Sequence, residues 1–299
     1  ALAWFFMGIG VITKGVGFLP LLMLIPFGIL RFKSKVGSHI APTSLWTWFS
    51  GVFIMLGAIG LWFIPMLLIV AQSDNPSFEL YRDNILLKQT VTRYADSWHH
   101  IKPAWYYVTA VIPIFWLPLS LMLPWLVKPW IAAFRECDPR IILPVGWVVL
   151  VIIFFSLSPG KRGVYILPAL PMLVLAIAPY YQAILNIKLL KTLLFVMCLI
   201  FSIGLTLVAI LGLLDVNAIT KLTSKIDVEP WYLFLSIGLS SLFGIMALVR
   251  FSKWFAWPLF FSALWLVYST YGYALRNNIS TPISIYEQTK RHIDQNAEI

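Results

Sequence analysis

Ser156-Leu-Ser-Pro-Gly-Lys-Arg-Gly-Val-Tyr-Ile-Leu-Pro-Ala-Leu-Pro171 sets two adjacent cations, Lys161 and Arg162, in a short break between two apolar runs. No charged residue occurs from Ile141 to Pro159 or from Gly163 to Ile187. Each run is long enough to cross a bilayer as a helix, which takes about 20 residues at a rise of about 1.5 Å. The pair therefore sits at a membrane surface, at the level of lipid phosphates.

The rest of the chain repeats this pattern. Of its 299 residues 60% are hydrophobic and 11% charged, where soluble domains carry about 25% charged residues. Such a surface needs lipid as its solvent. Further uncharged runs cover Gly15–Leu30, Ala41–Ala71, Ala104–Val127, Thr192–Leu214, Pro230–Val249 and Trp254–Leu275, and a shorter one covers Ala1–Ile12. We read an all-α, polytopic helical membrane protein with about eight complete transmembrane helices and one partial one. The chain opens inside an apolar run, without a basic n-region or a small-residue cleavage site, so a signal peptide is not the reading. It reads instead as a chain whose N-terminal part is absent. Cys137 and Cys198 form neither a disulfide framework nor a metal-ligand spacing, and read as packing residues.

The formal charge of +10 is unevenly placed. Alternate loops hold Arg31, Lys33, Lys35, Lys128, Arg135, Arg140, Lys188, Lys191, Arg250 and Lys253 against only Glu136 and Asp138. Loops rich in Lys and Arg stay cytoplasmic. The basic excess is thus mainly a topology signal, and no nucleic acid is needed to explain it. The exported side then receives Thr13–Gly15, a loop at about 72–103, Gly160–Arg162, Asp215–Glu229 and everything after Leu275. This divides the chain into a transmembrane domain, 1–275, and an exported amphipathic tail, 276–299, that rests on the membrane or opens a soluble domain. In the tail, Thr281 stands at an N-cap position before Pro282, and Ile283, Tyr286, Lys290 and Ile293 share one face. Within the exported loop, Leu80, Ile85, Leu86 and Val91 have helical spacing, which predicts a helix along the interface between Ser77 and Tyr94. Trp105, Tyr106, Tyr107, Trp231 and Tyr232 stand at span ends as aromatic anchors do.

Three blocks carry candidate chemistry. Thr13-Lys14-Gly15 puts a cation beside a residue that permits a tight turn; Lys14 is either a snorkelling anchor or a phosphate contact. Ser158-Pro159-Gly160 sets up a turn before Lys161 and Arg162, with Tyr165 four residues beyond Lys161. Two adjacent cations in a short exported loop run against the positive-inside bias, and with backbone amides at the start of the next helix they would form an anion site. His99-His100-Ile101-Lys102-Pro103-Ala104-Trp105-Tyr106-Tyr107 is an interfacial aromatic belt with solvated histidines, or a loop that closes over a lipid headgroup or sugar. Adjacent histidines on a helix point apart, so His100 would bind metal only with ligands from elsewhere. Arg82-Asp83 and Arg93-Tyr94-Ala95-Asp96 read as solvated charge. No Asp or Glu lies within any span, which weakens an ion-coupled transporter, and no Walker loop, dinucleotide fingerprint or nucleophile elbow occurs.

On Ile12-Thr13-Lys14-Gly15, on His100-x-x-Pro103-x-Trp105-Tyr106-Tyr107 and on Lys161-x-x-x-Tyr165-Ile166-Leu167-Pro168, the chain resembles membrane glycosyltransferases of the protein mannosyltransferase and lipid A aminoarabinose transferase type, the GT-C class. Order and topology match across about the first 190 residues. The resemblance implies transfer of a sugar from a polyprenyl-phosphate donor, such as undecaprenyl phosphate, to a lipid or protein acceptor on the exported face. It places the protein in the bacterial inner membrane and in cell-envelope work such as lipid A modification or protein glycosylation. It further implies that Lys14, Lys161, Arg162 and Tyr165 hold the donor phosphate, and that His100, Lys102, Trp105, Tyr106 and Tyr107 form the donor or acceptor loop. The carboxylate that such enzymes carry in their first exported loop precedes everything here. The catalytic residue is therefore unknown and the chain reads as a C-terminal fragment. A divalent metal is left open as cofactor, with no ligand named. Two other readings remain: a lipid-linked sugar flippase, which should line its bundle with polar residues that are sparse here, and a non-catalytic membrane assembly subunit.

Overall fold

The computed structural model describes residues 1–33, 44–73, 75–86, 100–223, 229–248 and 250–280, together with residue 290. His99, Arg93, Tyr94, Asp96, Val91 and the tail helix expected from Thr281 lie outside the described residues. The described part is helical, and its one isolated β-bridge joins Ile101 and Gly160. The chain divides into two compact units, Ala1–Ile184 and Leu185–Ile299.

In the first unit Leu2–Lys14 ends at Gly15, whose φ of 71° lies in the left-handed region; here the glycine is required, because a side chain is strained at that angle. Leu2–Lys14 packs along Leu45–Gln72. A Cβ on Gly8 would come within 2.6 Å of Met55 O and 2.7 Å of the Ala58 side chain, so glycine sets this close approach, as small residues do between membrane helices. Leu45–Gln72 starts at Ser44, whose hydroxyl accepts Trp46 N–H at 3.2 Å. Beyond it Asn75 caps the short helix Pro76–Asp83 by accepting Ser77 N–H at 3.0 Å. A helix thus covers the first part of the segment Ser77–Tyr94.

Pro139–Leu157 is the centre of the unit. Asp138 caps it by accepting Arg140 N–H at 2.9 Å, and Pro139 fills the first turn, where a missing N–H costs nothing. Of its apolar window 39% is buried, against 11% for Trp46–Gln72. Trp147 on its buried face donates its indole N–H to Leu19 O at 2.9 Å. That bond satisfies a carbonyl in the 3-10 turn Leu19–Met23, which has Pro20 in its first turn and leads into the helix Leu24–Lys33; irregular backbone at membrane depth needs such protein partners. Gly163–Leu185 follows as a span made of alternating 3-10 and α turns.

In the second unit Lys188–Leu213 and Trp231–Leu248 pack together. Their contact is polar at one level: Ser241 donates to Ser202 Oγ at 2.8 Å, Ser202 donates to Cys198 O, and both serines are buried. Gly238 sits against Thr206 Oγ1 and Ser202 O, leaving no room for a Cβ. Ala256–Val267 continues through a π turn, Tyr268–Gly272, into Tyr273–Ser280.

The polytopic helical class holds, but fewer elements are uninterrupted spans than the uncharged runs suggest. Among the described residues five helices are long and apolar enough to cross a membrane, or six if the pair Tyr107–Phe115 and Leu119–Arg135, bent by 110°, is one span. Hydropathy counts residues and is blind to breaks. Proline causes several of them, because it removes an N–H and clashes with the preceding turn.

Candidate functional site

The His100 and Lys161 blocks, about sixty residues apart, meet. Lys161 N–H donates to His100 O at 3.0 Å and Lys102 N–H to Pro159 O at 3.2 Å, around the Ile101–Gly160 bridge. His100 enters this pairing with a φ of 62°, a left-handed conformation that histidine tolerates better than most residues. The Lys161 ammonium fastens the join from beneath, donating to Lys102 O at 3.0 Å and to Ser158 O. Lys161 is only 4% exposed, and burial pulls its pKa below the ordinary lysine value, because a charged amine loses its hydration there.

Arg162 behaves differently. Its backbone is extended, φ −124° and ψ 142°, and consecutive residues of an extended segment point to opposite faces. Lys161 therefore turns inward while Arg162 is exposed and its Nη2 stands 2.8 Å from His100 Nε2. A guanidinium only donates, so His100 Nε2 accepts, which requires a neutral imidazole protonated at Nδ1. Of the cations in the two blocks, Arg162 and Lys102 are exposed and Lys161 is buried. The helix start expected to add backbone amides is a seven-residue 3-10 segment, Gly163–Ala169.

A file of aromatic rings begins three residues after Arg162, at Tyr165. Tyr165 is half-buried and packs on Phe155 at 5.5 Å between ring centroids; Phe155 meets Phe154 at 5.2 Å, and Phe154 meets Phe18 at 5.6 Å. This file of rings runs from the site to a residue four positions after Lys14. Lys14 itself is exposed at the end of its helix, with no described contact to the other cations. Trp105 is 65% exposed, while the Tyr106 ring lies 5.5 Å from that of Tyr107 at a 60° tilt, and Tyr107 is fully buried. Tyr107 is therefore not an interfacial anchor, and neither is Trp231, whose buried ring lies over Gly212. Trp105 and Tyr232 remain exposed as anchors should. Arg82 is paired with Asp83 at 2.8 Å, away from these groups in sequence.

Chemically, the arrangement offers two exposed cations, an imidazole and two half-buried tyrosines, Tyr106 and Tyr165. That combination suits an anionic oxygen group beside a sugar or headgroup. Among the described residues no group of three or more His, Cys, Asp or Glu is placed to hold a metal ion, and the Arg162 guanidinium beside His100 Nε2 opposes a cation there. Sequence reasoning missed the inward turn of Lys161 and the indole bond from Trp147.

No family model matches the chain. The undecaprenyl phosphate-alpha-4-amino-4-deoxy-L-arabinose arabinosyl transferase of Serratia proteamaculans is 31% identical over 179 residues, covering 58% of this chain and 29% of that protein. The protein of the same name from Yersinia enterocolitica is 30% identical over 183 residues, with the same two shares. The chain thus spans less than a third of the length of these curated relatives. The crystal structure of ArnT from Cupriavidus metallidurans bound to undecaprenyl phosphate matches with a TM-score of 0.61 at 20% identity, covering 99% of this chain and 52% of that one. This likeness carries the fold: the chain is a polytopic helical integral membrane protein, folded as that structure is over 99% of its length. The resemblance drawn from the three sequence blocks is borne out by both comparisons.

Proposed function

We propose that this chain supplies the donor-holding part of a glycosyltransferase that moves a sugar from a polyprenyl phosphate to a lipid or protein acceptor, at the exported face of the bacterial inner membrane. The names of its relatives favour an undecaprenyl phosphate-linked amino-arabinose as donor. One observation carries the reading: backbone pairing of His100–Lys102 with Pro159–Lys161 sets Arg162, Lys102 and His100 at one rim, with Tyr106 and Tyr165 beside them. As a glycosidic bond to a phosphate breaks, negative charge grows on the departing phosphate, and fixed cations stabilise that state. Arg162 is the principal phosphate ligand, because its planar fork fits two oxygens at once. Lys102 adds a second charge, and Lys161 acts from below by holding the rim in place. Lys14 joins as a third outward cation at the same face. His100, Lys102, Trp105, Tyr106 and Tyr107 form the donor or acceptor loop, and the half-buried Tyr106 and Tyr165 stand beside the sugar.

Binding of undecaprenyl phosphate to the membrane-embedded chain in nanodiscs tests this reading. Each charge-assisted hydrogen bond is worth about 1.5–3 kcal/mol, so Arg162→Gln should weaken binding by roughly tenfold to a hundredfold, and Lys102→Gln by less. Unchanged affinity in Arg162→Gln would overturn the assignment.

A further inference from the structure

The second unit gathers charge that the site above does not use. Lys188 and Lys191 stand in the first turn of Lys188–Leu213, and Arg250 and Lys253 lie on the connection between Trp231–Leu248 and Ala256–Val267. That connection packs against the long helix. The Trp254 indole N–H donates to Leu185 O at 2.9 Å, and the Lys253 ammonium stands 3.5 Å from Thr192 Oγ1 and 5.5 Å from the centre of the Phe195 ring. Thr192 follows Lys188 by four residues, and Phe195 follows Lys191 by four. Residues so spaced are neighbours on a helix surface, with Cβ atoms about 5–6 Å apart. Lys253 is therefore held on the face that Lys188 and Lys191 share. Lys188, Arg250 and Lys253 are exposed and Lys191 is half-buried. Among the described residues none of the four is in an ion pair, and the acids of this unit, Asp215 and Glu229, lie beyond the opposite ends of the two spans.

Sorting basic loops to one side of a membrane needs the charges in the sequence, but not their convergence in space. Like charges at this spacing repel, so an anion stabilises a fold that gathers them. The neighbouring side chains indicate which anion. Phe251 is 65% exposed, with the Arg250 guanidinium 4.9 Å from its ring centre, and Leu189, next to Lys188, is exposed too. Cations interleaved with exposed apolar groups at a span's end match a lipid, with its phosphate level with the cations and its chains beside the apolar groups. We infer that Lys188, Lys191, Arg250 and Lys253 form a binding surface for the phosphodiester headgroup of an anionic phospholipid, which the loop charges put in the cytoplasmic leaflet. This surface is independent of the donor-site reading.

Native mass spectrometry of the purified chain, titrated with phosphatidylglycerol and separately with zwitterionic phosphatidylcholine, reads the binding. Each Lys or Arg at such a surface strengthens attraction about fivefold, so Lys253→Gln should weaken phosphatidylglycerol binding about fivefold and Lys188→Gln/Lys253→Gln roughly twentyfold. Phosphatidylcholine binding should be unaltered in both, which also shows that the fold is kept. Lys128→Gln/Arg135→Gln removes the same charge from another basic loop and should leave phosphatidylglycerol binding nearly unchanged. Equal weakening by the two Gln pairs would reduce the effect to net charge and overturn the inference, as would unaltered binding in Lys188→Gln/Lys253→Gln. Lys188→Arg/Lys253→Arg keeps the charge and should keep the affinity; its loss there would also overturn the inference. Displacement of the lipid by an equal concentration of inorganic phosphate would make this a site for a soluble anion and refute the lipid as occupant.

Discussion

Lys161 is the most consequential single position for the integrity of the site. Lys161→Met keeps an unbranched apolar stem and removes the ammonium. Lost with it are the charge-assisted bonds to Lys102 O, at 3.0 Å, and to Ser158 O, worth together about 3–6 kcal/mol. Burial of the cation offsets part of that, because the methionine carries no hydration to lose, and a net local cost of roughly 2–3 kcal/mol remains. At about 1.4 kcal/mol per factor of ten, opening of the join should become roughly thirty- to hundredfold more frequent. Hydrogen exchange reads this directly at the backbone amides of positions 102 and 161, which bond to Pro159 O and His100 O, with amides in the middle of Pro139–Leu157 as unaffected references. Lys161→Arg should rescue only in part, since a planar fork does not replace a point charge held between two carbonyls. The pH dependence has a defined sign. Below its depressed folded pKa the buried ammonium bears its full desolvation cost. Between that value and the ordinary 10.5 the unfolded chain holds the proton that the folded one has released, so stability rises with pH across this window. Unchanged protection of both amides in Lys161→Met would refute the reasoning, and Arg162 would then owe its placement to the backbone alone.

Three further outcomes are expected. Asp138→Ala removes the cap of Pro139–Leu157 and should destabilise by about 1 kcal/mol, read as a lower unfolding temperature in detergent; Arg140, by hydrogen bonding and charge, holds the Asp138 carboxyl below its ordinary 3.8, so its contribution is complete above that value and fades as pH falls through the depressed one. Ser241→Ala should cost about 0.6–1.7 kcal/mol by deleting the bond to Ser202, whereas Gly238→Leu, which drives a side chain into Thr206 Oγ1, should cost about 1–3 kcal/mol; equal unfolding temperatures for both variants and the parent would remove the case for this contact. Single cysteines at Ser73 and Ser280 should react with an impermeant thiol reagent in intact cells and one at Ser34 should not, and the reverse pattern would invert the orientation.

Hydropathy alone was enough for the helical membrane class, since runs such as Ile141–Pro159 admit no other solvent than lipid. Residue order and type also pointed to the blocks at Lys14, His100 and Lys161. What composition conceals is direction. Lys161 and Arg162 read as one dication, but an extended backbone sends their side chains to opposite faces. Tyr106 and Tyr107 read as one aromatic belt, yet one is half-buried and the other fully buried, because a helix turns neighbouring residues by about 100°. The uncharged run Ala104–Val127 reads as one span, but the chain bends by 110° between Phe115 and Leu119, and hydropathy carries no information on such an angle. The Trp147 bond to Leu19 is invisible to any local rule, being made by residues 128 apart.

The join between His100–Lys102 and Pro159–Lys161 also bears on the order in which this part of the chain assembles. Lys102 and Lys161 are 59 residues apart, and closing a flexible loop of that size costs about 3.5 kcal/mol in its length-dependent part. A single β-bridge with one buried ammonium would struggle to hold such a loop shut by itself. The intervening helices Tyr107–Phe115, Leu119–Arg135 and Pro139–Leu157 out and back between the two ends remove most of that cost before the ends meet. The join is therefore expected to form after the helices between its two ends are in place. Protection of the amides at positions 102 and 161 would accordingly mark, during biogenesis, the moment when the two helical arms are both in place.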